Sequence, residues 1–156
     1  MADSTYLKHT VEPFIVEWVS RRIGIELKPK QVVVGLRTDG TMVHFSFDGV
    51  SGTGKVGLLV STSLTVKPGG TRKLHTDAFI LLNTPLERRL MAFISDDVRV
   101  NFLNKCDGLL PLRQIEMLVC NDLPTAMQKS IAAFQADAKA EVGDNGRQRQ
   151  PGGQRR

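Results

Sequence analysis

Apolar residues recur at helical spacing over residues 11–23, where Val11, Phe14, Ile15, Trp18 and Val19 share one side. Thr10 is placed to cap this segment, Pro13 is tolerated in its first turn and Gly24 can end it. The pattern then switches to period two. Residues 31–36 (QVVVGL) are β-branched and predict a strand, and Asp39-Gly40 signals a hairpin turn. Residues 42–48 alternate, with Val43, Phe45 and Phe47 on one face and Met42, His44, Ser46 and Asp48 on the other. A glycine turn (49–54) leads into residues 55–64, apolar on both faces at their centre, as expected of a central strand. After a loop (65–72), the spacing predicts helices over 73–83, 96–106 and 123–142 and strands over 89–95 and 114–120. The resulting order is α-β-β-β-α-β-α-β-α. An antiparallel meander followed by βαβ crossovers predicts a three-layer α/β domain with a mixed sheet of about five strands.

Composition narrows the class. A chain of 156 residues that is 41% hydrophobic and 24% charged fits one domain with its own core. No apolar run approaches the roughly 18 residues of a membrane span. Residues 1–10 lack the basic and apolar regions of a secretory signal, and Cys106 and Cys120 lack metal spacing and read as buried thiols. A cytoplasmic location with no membrane partner is the expectation.

The net charge of +5 is unevenly placed. Residues 143–156 carry Arg147, Arg149, Arg155 and Arg156 against Asp144, which makes this segment +3. Residues 1–142 hold seventeen basic and fifteen acidic groups, +2 in all. We therefore expect a single α/β domain over 1–142 and a disordered basic tail over 143–156, whose four arginines are candidate nucleic-acid contacts.

Several motifs carry no chemistry. Gly49 to Lys55 has the glycines and lysine of a phosphate loop, but Val56 follows where a hydroxyl must reach Mg²⁺, and a strand follows where a helix must start. It reads as a turn with Lys55 solvated. His75 and Asp77 stand two apart on a helix and do not face each other. Ser61, Thr62 and Ser63 lie in a strand without a nucleophile elbow. The nine aromatics fall mostly on core faces, so no stacking platform for single strands is visible.

Asp48 is different. It ends an alternating strand at a turn, with a central strand next. That arrangement suits metal-dependent nucleases, in which a second acid and a lysine project two residues apart from the following strand. The segments VEPF (11–14), HFSFDGVS (44–51), KVGLLVSTS (55–63), PGGTRKLHTDAFIL (68–81), RRLMAFISDD (88–97) and the final strand-helix pair (115–142) together resemble the PD-(D/E)XK restriction-endonuclease-like superfamily, within it a group of small bacterial proteins. The resemblance covers most of the chain and implies a restriction-endonuclease-like fold. Asp48 then falls on the family's first acid and is the candidate metal ligand. The acid-x-lysine position falls on Leu58-Leu59-Val60, which offers neither group. Lys73 or Lys55 would have to replace the lysine, and His44, Asp77 or Glu12 would have to supply a second ligand. Asp48 alone reads as a turn cap before Gly49.

The expectation is a catalytically degenerate, nuclease-like module that binds nucleic acid or a partner protein and uses no cofactor, with Asp48 and Lys73 as vestiges of an active site. One alternative is a working Mg²⁺-dependent nuclease with relocated ligands. The other is an interaction subunit for which the fold is only a scaffold.

Overall fold

The computed structural model describes residues 4–147. The chain opens on a helix longer than the periodicity predicts. A turn α1 (Ser4–Tyr6) and a π-helical stretch (Leu7–Val11) run straight into α2 (Glu12–Ile23). Thr10 is therefore inside the helix and does not cap it. Pro13 has no N–H and crowds the carbonyl four residues back. The π turn accommodates it, with the Glu12 N–H donating to the Leu7 carbonyl five residues earlier. Gly24, at φ +70°, ends α2 as expected.

Two long strands follow, β1 (Leu27–Leu36) and β2 (Met42–Ser51). β1 starts four residues earlier than predicted. Its Pro29 is tolerated because β1 is an edge strand, and a bulge falls between Lys28 and Lys30. β2 does not end at Asp48 but passes through Gly49 to Ser51, so Asp48 lies inside the strand and not at a turn. A tight turn with Gly54 at φ +73° leads to β3 (Val56–Ser61), buried at every position.

Next come α3 (Pro68–Asn83), β4 (Arg88–Phe93), α4 (Asp96–Cys106), β5 (Glu116–Val119) and α5 (Thr125–Arg147). α3 begins at Pro68, five residues before the predicted start. Proline suits a first helical position, and packing overrides the low propensity of Gly69 and Gly70. Ser95 caps α4, its hydroxyl accepting from the Val98 N–H.

The sheet order is β1-β2-β3-β4-β5, antiparallel through β3 and parallel from β3 to β5. α2 and α5 cover one face through Ile15, Val19 and Ile131, which pack on Leu58, Val60 and Leu90. α3 and α4 cover the other through Leu74, Ala78, Leu81 and Phe102, which pack on Leu59, Met91 and Phe93. Alternate residues of β3 thus enter opposite cores. The three-layer mixed α/β architecture is the one expected from the pattern of elements. Residues 143–147, expected in the tail, continue α5, while 148–156 lie outside the described residues.

Candidate functional site

β2 and β3 pair over a short distance only, Gly49 with Leu58 and Val50 with Gly57. At the turn end the Ser51 hydroxyl accepts from the Val56 N–H at 3.1 Å, while toward Val60 the strands separate. Val60 faces the same side of β3 as Leu58, two residues away, so its N–H and C=O point into the gap where β2 has left. Buried backbone groups need partners. Here side chains supply them. Asp48 Oδ2 accepts from the Val60 N–H at 2.7 Å. From α3, Lys73 Nζ lies 3.5 Å from the Val60 carbonyl oxygen, a long bond, and 3.1 Å from Asp77 Oδ2. Asp77 is 4% exposed, whereas the Lys73 side chain is 63% exposed.

The gap is reached from both faces of the sheet. Lys73 and Asp77 come from the α3 side, while Glu12 and Lys8 come from the N-terminal helix on the other. Glu12 is half-buried at the junction of the π turn and α2. Its pKa is pushed up from 4.5 to about 7, first by desolvation and then by the Asp48 charge, against the pull of Lys73 and Lys8. Desolvation also raises Asp48, opposed by the Val60 N–H and Lys73. It raises Asp77 too, opposed by Lys73. Loss of hydration therefore outweighs the lysines at all three carboxyls, so the site is a place where negative charge is costly.

Beside this cluster, a cleft of about 810 Å³ opens between the N-terminal helix and the β1–β2 hairpin. Lys8, Glu12, Lys28, Lys30, Ser46 and Asp48 line it. Its acids are partly engaged, with Glu26 paired to Lys28 at 3.3 Å and Glu17 to Arg21.

Of the residues singled out from sequence, Asp48, Lys73, Asp77 and Glu12 come together. Asp48 caps a strand N–H across the gap, not the turn before Gly49. His44 does not join them: it is exposed, four residues up β2 from Asp48. Lys55 is at the far end of β3, paired to Glu87 at 2.9 Å. His75 looks away from Asp77, with its ring 5.9 Å from that of Phe102 and its buried Nε2 without a hydrogen-bond partner. Arg147 ends α5, and Arg149, Arg155 and Arg156 lie outside the described residues. Lys8 was not legible in sequence, because the helix was expected to begin after it. Leu58, Leu59 and Val60 are all buried core residues.

No helix among the described residues is long and apolar enough to cross a membrane. A scan of protein-family models, a search of curated proteins and a search of solved structures each return no match to the chain.

Proposed function

We propose that the chain is a catalytically degenerate module of the PD-(D/E)XK restriction-endonuclease-like class that binds nucleic acid along the cleft and does not cleave it. The observation that carries this reading is the fate of β3. Its acid-x-lysine position is Leu58-Leu59-Val60, packed into the two cores, and the one oxygen of Asp48 that reaches β3 is bound to the Val60 N–H. Hydrolysis of a phosphodiester by the class's mechanism needs a metal held by several oxygens and a group to order water. The strand that should supply these has become core.

Binding draws on Lys8, Lys28 and Lys30 along the cleft and on the arginines beyond α5. A cytoplasmic location belongs to the same reading. The convergence of Glu12, Asp77 and Lys73 on Asp48 favours a second reading, a Mg²⁺-dependent nuclease with relocated ligands. Against it, no three His, Cys, Asp or Glu side chains among the described residues are grouped so as to hold a metal.

The test is a paired measurement on single- and double-stranded DNA and on RNA: affinity at two salt concentrations, and cleavage with Mg²⁺ or Mn²⁺. The expected result is salt-sensitive binding without cleavage. Metal-dependent cleavage that disappears in Asp48→Ala overturns the degenerate reading in favour of the second. Absence of binding to all three substrates removes the nucleic-acid partner and leaves a protein partner.

A further inference from the structure

Three carboxyls, those of Asp48, Asp77 and Glu12, converge on the gap, and two of them already have partners. Asp48 Oδ2 takes the Val60 N–H, and Asp77 Oδ2 takes Lys73 Nζ. The nearby backbone oxygen, that of Val60, faces the same ammonium. A Mg²⁺ or Ca²⁺ ion needs several oxygens at about 2.0–2.6 Å. The described residues offer no such group, and an ammonium is placed among these oxygens instead.

The electrostatics agree with the geometry. Lys73 favours the ionised form of all three acids, whereas Lys8 acts on Glu12 and Asp48. With both lysines counted, three ionised carboxylates leave one surplus negative charge. A divalent ion added to this arrangement would overshoot to net positive charge and would have to displace the Lys73 contacts.

We propose that Lys73 is the resident cation of the site: an ammonium tethered through α3, held by Asp77 and the Val60 carbonyl, neutralises the carboxylates and makes the module independent of metal. The proposal rests on the degenerate reading but not on nucleic-acid binding.

The test follows thermal unfolding of the full chain with Mn²⁺, Mg²⁺ or EDTA, together with direct Mn²⁺ binding by paramagnetic resonance. For the wild type we expect an unchanged melting temperature and no Mn²⁺ binding that depends on Asp48. Lys73→Ala leaves the carboxylates uncompensated. It should melt below wild type and be raised by Mn²⁺ by several degrees, as for any ligand that binds the folded state alone. Lys73→Arg, which keeps the charge, should remain indifferent to metal. Mn²⁺ binding by the wild type that is lost in Asp48→Asn overturns the proposal, as does a Lys73→Ala variant with the melting temperature and metal response of wild type. Should Lys73→Ala fail to fold, the wild-type measurement against Asp48→Asn decides alone. Metal binding without cleavage sinks the role of Lys73 and spares the degenerate reading, whereas metal-dependent cleavage sinks both.

Discussion

Asp48 and Glu12 are the residues on which single substitutions speak most directly. Asp48→Ala strands the Val60 N–H, and an unsatisfied buried donor costs about 1–3 kcal/mol. Asp48→Asn keeps an acceptor and should lose less. Urea unfolding of the two variants checks the order, and equal losses would deny the hydrogen bond its role. Glu12 gives a prediction in pH. Its folded pKa of about 7 lies above the ordinary 4.5, so between these values the folded protein holds a proton that the unfolded chain has released. Its contribution to stability is complete below about 4.5 and lost as pH rises through 7. Glu12→Gln should therefore gain on wild type from pH 5 to pH 8, by about 1 kcal/mol after allowance for screening at a half-exposed group. A constant difference across that range would show that Glu12 is not perturbed. Asp48, Lys73, Asp77 and Glu12 were legible in the sequence, whereas Lys8 and the group that Asp48 caps were not. Val60 is twelve residues away and apolar, and its backbone need arises from strand register, which no side-chain pattern displays.

Among the elements, the β2–β3 seam is tightly packed at Gly57. A Cβ on Gly57 would come within 2.7 Å of Leu86 Cδ1 and 3.1 Å of Phe47 Cε1. The leucine end can move, but the ring is held in the core, so Gly57→Ala should cost roughly 1–3 kcal/mol by overpacking. Thermal unfolding reads it, and a variant as stable as wild type would show that the seam has slack. Element types and order were legible because helical spacing is strong in α2, alternation is clean in β2 and β3 is a continuous apolar run. Boundaries were less so wherever tertiary contact overrides local preference. Tyr6 is drawn into the N-terminal helix against Phe134, with ring centroids 5.3 Å apart, and the glycines after Pro68 are helical because α3 packs over β3 and β4.

For the whole molecule, topology followed from connection rules. Two βαβ crossovers on one face extend the sheet in one direction, and the meander leaves β1 at the opposite edge. Charge distribution is a property of the same scale. Removal of residues 148–156 takes away Arg149, Arg155 and Arg156 and leaves α5 complete. On the proposed nucleic-acid reading, affinity should fall, and the slope of log affinity against log salt should flatten by up to about three. An unchanged slope would place the binding entirely on the cleft.

The short β2–β3 pairing also divides the molecule mechanically. The hairpin of β1 and β2 is paired along most of its length, while two residue pairs, the Ser51 hydroxyl that accepts from the Val56 N–H, and the Asp48 carboxylate fasten it to β3. Such a ribbon can open as a unit while the parallel ladder stays closed. Asp48 is then a latch, and the Val60 amide is the proton that reports on it. Hydrogen exchange at Val60 should accelerate in Asp48→Ala while amides paired between β3 and β4 keep their protection. Uniform acceleration across the sheet would mean that hairpin and ladder open together.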